Sequence, residues 1–266
     1  MRVGILGVGA IGQVLATAIA EKKIDAELVA LSDQDRAKAE AFAASLACRP
    51  PVVSLDELLD RCDLAIEAAS QAALREFVPK ALARGRDILV MSAGGLLGRD
   101  DWFREAQIKG CRIHVPSGAI GGLDAIKSAA IDRIDSATLT SRKPVTALKG
   151  SQYISDRGIA LDALTGETVI FEGPPEDAAR AFPATSNVAA SLRLAAGPGV
   201  PVTVRVVAVP GGTENVHEIR VQGEFGRLSV TVENVPSKSN PRTSQLAAFS
   251  AVATLASLTR ALRLGT

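Results

Sequence analysis

Aromatic side chains are scarce: one Trp, one Tyr and seven Phe make up 3% of 266 residues. That scarcity argues against a platform for stacking nucleobases. Neither sign of charge dominates, because 30 Lys and Arg offset 29 Asp and Glu to leave +1. Nucleic-acid affinity rests on phosphate neutralisation by a basic surface, so no nucleic-acid partner is expected. Cysteine is limited to Cys48, Cys62 and Cys111, an odd number with no C-x-x-C pair. A disulfide framework is therefore not expected, and a reducing compartment fits. The only histidines, His114 and His217, lie far apart, so no metal site is expected either. There is no long hydrophobic run. The most apolar late stretch, Leu246 to Leu258, is broken by Ser and Thr and followed by Arg260. A membrane span needs about 20 apolar residues, so no membrane partner is expected. Met1-Arg2 leads straight into an apolar strand, which reads as a cytoplasmic protein without a signal peptide.

What is present is ample core material, with 47% hydrophobic and 22% charged residues. At roughly 150 residues per domain the length suggests one large or two modest domains. The first half alternates strands and helices. Strands are predicted over 2–6, 26–32, 52–53, 63–68, 87–91 and 111–115, and helices over 10–20, 35–46, 71–84 and 100–109. A further helix starts at Ser54, where Glu57 completes an S-x-x-E capping box. This alternation implies a doubly wound parallel sheet. After about residue 120 the rhythm changes. Strands are predicted over 134–141, 168–172, 202–209, 216–224 and 228–235, the last two joined as a hairpin. Two helices fall between Pro175 and Ala196, and a last one runs from about Thr243 to Leu262. The fold class is α/β, with a mostly antiparallel sheet in the second domain. The expected domains are 1–118 and 119–240, with 241–266 packing back on the first.

Gly7, Gly9 and Gly12 form G-x-G-x-x-G directly after the first strand and at the start of a helix. The first glycine allows the tight turn, the second lets a pyrophosphate approach the backbone, and the third lets helix and strand pack closely. The helix start, with Ala10 and Ile11, offers N–H groups to the phosphates. Asp33 lies twenty-one positions after Gly12 at the end of the second strand, where a ribose diol is held. Together these features identify a Rossmann-type dinucleotide site. The Asp33 carboxylate favours NAD because it repels a 2′-phosphate, while nearby Arg36 leaves room for NADP. Asp33 also reads as an N-cap for the helix over 35–46. Ligands in such sheets bind at the carboxyl ends of the strands, which places Ala68, Ala69 and Ser92 near the ribose and nicotinamide.

A nicotinamide enzyme needs a group that moves a proton on the substrate, and histidine titrates near neutrality. His114 lies inside a strand and reads as packing. His217 begins a strand after the polar loop 211–215, where a rigid sheet presents a catalytic group, although an ordinary surface histidine would read the same. The glycine-rich segment 117–125 joins the halves, as a ligand contact at the domain cleft or as a hinge. Asn240, Thr243 and Ser244 precede the last helix and suit a substrate carboxylate or simple N-capping. Thr140, Arg142 and Lys143 form a second candidate anion site.

Several of these segments together resemble the L-aspartate dehydrogenase family: Gly7–Gly12, SGAIGGLDA (117–125), TSRKP (140–144), SNVAASL (186–192), Asn215-x-His217-Glu218 and NPRTS (240–244). The resemblance runs in order over nearly the whole chain. It implies oxidation of L-aspartate to iminoaspartate with NAD or NADP, and the reverse amination from oxaloacetate and ammonia. Iminoaspartate feeds NAD biosynthesis in that family. By resemblance His217 is the active-site histidine and Asn187 contacts the nicotinamide. Gly121 stands where the family often has an alanine that touches the cofactor through its backbone. A homodimer built through the second domain is also implied. The competing readings are another two-domain nicotinamide reductase, dihydrodipicolinate-reductase-like or homoserine-dehydrogenase-like, and a non-catalytic NAD-responsive binding protein.

Overall fold

A computed structural model describes residues 1–235 and 244–265. The chain forms two compact units, one from Met1–Pro116 with Ala247–Leu264, the other centred on Ser117–Leu246.

The first unit runs β1 (Arg2–Leu6), α1 (Ala10–Ala20), β2 (Glu27–Ser32), α2 (Arg36–Ser45), α3 (Leu55–Arg61), β3 (Leu64–Glu67), α4 (Gln71–Ala83), β4 (Asp87–Val90), α5 (Asp100–Lys109) and β5 (Ile113–His114). Its sheet has the order β2-β1-β3-β4-β5 and every pairing is parallel. Parallel sheets carry helices on both faces, so their strands are apolar on both sides. β3 is buried throughout. On one face Val3 and Ile5 pack with Leu15 and Ile19 of α1. On the other, a Cβ on Gly4 would lie 2.7 Å from Leu58 Cδ2, so only glycine lets α3 sit this close. The S-x-x-E box is present, with Ser54 and Glu57 exchanging hydrogen bonds.

The C-terminal helix α11 (Gln245–Thr259) sends Ala251, Leu255 and Ala256 into the core of this first unit. Small side chains permit that close approach, and one fully buried Leu contributes about 1.5–3 kcal/mol. Three expectations shift. The strand over 111–115 shrinks to Ile113–His114. The one over 52–53 is a single bridge from Val52 to Leu31. The cap of α2 is Asp35, which accepts from the Lys38 N–H, rather than Asp33. Asp33 is engaged elsewhere, as described below.

The second unit runs α6 (Leu123–Ala129), β6 (Ile134–Pro144), α7 (Val145–Leu148), α8 (Gln152–Asp156), β7 (Thr168–Gly173), α9 (Pro175–Ala181), α10 (Ser186–Ala196), β8 (Val202–Val209), β9 (Asn215–Gly223) and β10 (Gly226–Asn234). The sheet order is β10-β9-β6-β8-β7, antiparallel except for β6 beside β8. Residues alternate between its faces. Ala137, Leu139, Ser141 and Lys143 of β6 and His217, Ile219 and Val221 of β9 are buried on the side covered by α10. Arg142, Glu218 and Arg220 occupy the opposite face. The β9–β10 hairpin turns at Gly226, whose φ of +111° suits only glycine. α6 forms where only a linking segment was expected. Gly122, left-handed at φ +76°, starts it.

Candidate active site

In the first unit the loops after β1, β2, β3 and β4 meet at the carboxyl ends of the strands. The strand order reverses between β1 and β3, the switch point at which such sheets bind ligands. Gly7 has φ +96°, and a Cβ there would fall 2.6 Å from the Ala68 carbonyl. A Cβ on Gly12 would lie 1.9 Å from the Gly7 oxygen. The protein's own packing therefore demands both glycines. Gly9 is different: a Cβ would meet nothing nearer than the Ala68 oxygen at 3.9 Å, and its φ is an ordinary −80°. The space beside the Gly9 backbone is therefore open to an approaching ligand. The α1 start has no side-chain cap and no acidic residue in its first turn, so Ala10 and Ile11 lie at a positive helix end suited to phosphate. The residues present thus fit a dinucleotide. Asp33 Oδ2 accepts from the Val8 N–H at 2.6 Å, and Oδ1 from the Asp35 N–H at 2.9 Å. Its carboxylate is thereby fixed beside the glycine loop. Arg36 is paired with Glu40 at 2.7 Å.

One residue here escaped the sequence reading. Glu67, at the end of β3, is fully buried. Its carboxylate accepts from the Ala69 N–H (2.8 Å), the Ser92 N–H (3.0 Å) and the Ser92 hydroxyl (2.8 Å). Burial raises its pKa against these donors. Glu67 ties the loop of Ala68 and Ala69 to that of Ser92. The signal was an acidic residue at the end of a strand with otherwise apolar neighbours.

In the second unit His217 is 5% exposed, and its Nδ1 lies 2.9 Å from Ser141 Oγ on the facing strand. Burial, and secondly the positive charge of Lys143, push its pKa down to about 3. The imidazole is therefore neutral at ordinary pH. Lys143 is 8% exposed, and burial lowers its pKa. Among the described residues no carboxylate pairs with it. Ser141 opposes His217 in the β6–β9 register, and Arg142 opposes Val216. One step further Lys143 comes opposite Asn215. Ser141, Lys143, Asn215 and His217 thus form a cluster about 5 Å across and 7 Å along the sheet.

Lys143 and Asn215 line a cavity of about 1160 Å³ within this unit. Its wall includes Tyr153, Phe171 and Phe182, whose ring centroids lie 4.9–5.9 Å apart. The wall also carries Lys149, Arg157 and Arg180 beside Asp156 and Asp177, and a buried cation with no carboxylate partner among the described residues is costly unless an anion joins it. It attracts carboxylate, and beside it stands a neutral histidine able to take a proton.

The other expected residues fall elsewhere. Thr140 and Arg142 alternate onto the opposite face from His217. Arg142 is held there by Glu218 at 2.9 Å and Glu167 at 3.2 Å. Lys143, one residue on, is the cation on the histidine's face. Asn187 is exposed in the first turn of α10. At Gly121 a Cβ would make ordinary contact with Val230 at 3.6 Å, so the alanine often found in the family fits. Ser244 donates to Asn234 Oδ1 at 2.5 Å, and Asn234 Nδ2 donates to the Ala119 carbonyl at 3.0 Å. Ser244 therefore braces the segment before α6. Asn240 and Thr243 lie outside the described residues. His114 is half-buried and shows a pKa lowered by burial.

Known proteins resemble this chain along its whole length. Residues 124–258 match the family described as "Aspartate dehydrogenase, C-terminal". Residues 7–116 match "Homoserine dehydrogenase, NAD binding domain". The chain is 48% identical to L-aspartate dehydrogenase of Methanocella arvoryzae, over all of this chain and 99% of that protein. It is 45% identical to that of Methanosarcina mazei, over 100% of both. The crystal structure of aspartate dehydrogenase from Thermotoga maritima superposes with a TM-score of 0.74 at 25% identity, covering 100% of this chain and 99% of that one. A dinucleotide loop on one sheet and a buried Lys–His cluster on the other thus occur in a chain that belongs to the L-aspartate dehydrogenase family of oxidoreductases.

Proposed function

We propose that this chain oxidises L-aspartate to iminoaspartate with NAD. Iminoaspartate then hydrolyses to oxaloacetate and ammonia or enters NAD biosynthesis, and the same groups serve the reverse amination. The observation that carries this reading is Lys143, a buried cation with no carboxylate partner among the described residues, opening into a cavity beside His217. A dicarboxylic substrate supplies the missing anion.

A bound nicotinamide supplies the acceptor for the hydride that leaves the substrate Cα. The chain's own residues handle binding and the proton. Gly9, Ala10 and Ile11 receive the pyrophosphate, and Asp33 the ribose hydroxyls. Ala68, Ala69 and Ser92, fastened by Glu67, border the same loops. By family resemblance Gly121 and Asn187 would touch the nicotinamide. The substrate nitrogen must lose a proton before its lone pair can push electrons towards Cα. In the tautomer this requires, His217 Nδ1–H donates to Ser141 Oγ and Nε2 accepts the substrate proton. A pKa of about 3 makes a weak base. Substrate carboxylate beside Lys143 offsets one cause of that depression and raises the basicity of the imidazole when substrate binds. Asp33, together with the engagement of Arg36 by Glu40, favours NAD over NADP.

The test is absorbance of reduced nicotinamide with purified protein, NAD or NADP, and L-aspartate at alkaline pH. D-Aspartate, L-glutamate, L-alanine and L-homoserine run in parallel. A rise with L-aspartate alone, greater with NAD, is expected. Equal or faster reduction with L-homoserine, or none with L-aspartate, overturns the substrate. The chain is further read as a cytoplasmic homodimer. A monomeric mass in sedimentation equilibrium refutes the dimer.

A further inference from the structure

Among the described residues, two side-chain polar atoms of the second unit are buried without a hydrogen-bond partner: Thr185 Oγ1 and Asn215 Oδ1. Buried polar groups are nearly always satisfied, and leaving one unpaired costs about 1–3 kcal/mol. Both residues line the cavity that Lys143 enters. Thr185 is fully buried and closes a short 3-10 turn, Pro183–Thr185, that runs into α10. Its backbone is helical, at φ −100° and ψ −10°, so the hydroxyl is not placed to cap the helix. Here it makes no capping hydrogen bond, and no acidic residue stands in the first turn. The hydroxyl is thus left out of the helix's own hydrogen bonding. Asn215 comes opposite Lys143 and precedes His217 by two residues on the same strand face. Its unpaired atom is an acceptor, set beside a cation and a neutral imidazole. An acceptor there has no use for a carboxylate and suits an N–H donor.

We propose that Thr185 Oγ1, with Lys143, grips one substrate carboxylate, while Asn215 Oδ1 accepts a hydrogen bond from the substrate's amino group. This deepens the proposed reaction and rests on it. It makes Thr185 a determinant for dicarboxylates and Asn215 a determinant for the amine. It also sets the nitrogen next to His217, where its proton must leave.

The experiment pairs steady-state kinetics with calorimetric titration. The protein is saturated with reduced nicotinamide cofactor, so that no turnover occurs, and titrated with L-aspartate and with succinate, which lacks the amine. Thr185→Val replaces the hydroxyl by a methyl group of similar size. It is expected to weaken both ligands and raise KM for L-aspartate about ten- to a hundredfold, the value of a hydrogen bond to a charged group. kcat should change far less, and Thr185→Ser should restore binding. Asn215→Leu is expected to weaken L-aspartate about tenfold or more while leaving succinate within about twofold. Unchanged affinities in Thr185→Val overturn the carboxylate grip. Equal weakening of succinate and L-aspartate in Asn215→Leu overturns the amine contact. If the parent binds succinate in a Thr185-dependent way yet never oxidises L-aspartate, the reaction assignment fails while the grip stands.

Discussion

Replacing Lys143 by Met should raise the stability of this protein while removing its activity. Lys143 lies on the buried face of β6, 8% exposed, with no carboxylate partner among the described residues. Its charge is disfavoured by burial alone. An apolar side chain of similar volume keeps the packing and removes the uncompensated cation. Exchanges of buried ionic groups for apolar ones gain up to about 1–4 kcal/mol. For a chain of this size each kcal/mol moves the thermal midpoint by about 2–4 °C. The Lys143→Met midpoint should therefore rise by about 2–16 °C at neutral pH, as read by calorimetry without substrate. The charge of Lys143 is also the second cause of the depressed His217 pKa, so the His217 pKa should move up, as followed by imidazole NMR. kcat/KM for L-aspartate should fall at least about a hundredfold, because the substrate carboxylate loses its charged partner. A lower midpoint together with activity within a few-fold of the parent would refute the reasoning. Lys143 would then be a structural residue with a satisfied environment.

Two of the three glycines of the dinucleotide loop should separate cleanly. Gly9→Ala meets no atom nearer than 3.9 Å and should leave the midpoint unchanged while weakening NAD at least about tenfold. Gly12→Ala, with its Cβ 1.9 Å from the Gly7 oxygen, should destabilise by on the order of 1–3 kcal/mol. Equal effects on stability would contradict this division. His217 has a folded pKa near 3 against an ordinary 6.5. Below pH 6.5 the unfolded chain takes up a proton that the folded chain refuses. Stability present above pH 6.5 is therefore lost towards pH 3, at up to about 1.4 kcal/mol per unit. His217→Asn should lack that slope in urea titrations between pH 7 and pH 4, and parallel curves for parent and variant would show that His217 is not held neutral. Asp33→Ser removes the carboxylate that repels a 2′-phosphate. The NADP-to-NAD ratio of kcat/KM should rise about tenfold or more, and an unchanged ratio would remove Asp33 from cofactor selection.

Much of the first unit was legible in the sequence because its signals are local. A strand, three glycines at fixed spacing and a helix state a turn and a phosphate cradle within a dozen residues, and Asp33 follows at the end of the next strand. The β9–β10 hairpin and the Ala-rich last helix are local patterns of the same kind. His217 was found through its place after a polar loop and through family resemblance. What the sequence left undecided was facing. In TSRKP both Arg142 and Lys143 are cations, and strand alternation puts them on opposite sides of the sheet. Only pairing with β9, which sets Ser141 against His217, decides that Lys143 is the buried one and that Arg142 belongs to Glu218 and Glu167. Glu67 and Thr185 were missed, and Asn215 was named in a motif but given no role, for a related reason. Each is an ordinary polar residue in a short segment, and its significance lies in being buried with particular partners, or with none, among residues far away in the chain. Composition and spacing along the chain determined the two-sheet architecture and the dinucleotide loop. Which polar groups lose contact with water, and so must be satisfied by one another or by a ligand, was decided by tertiary packing, because burial depends on what covers a residue as well as on what it is.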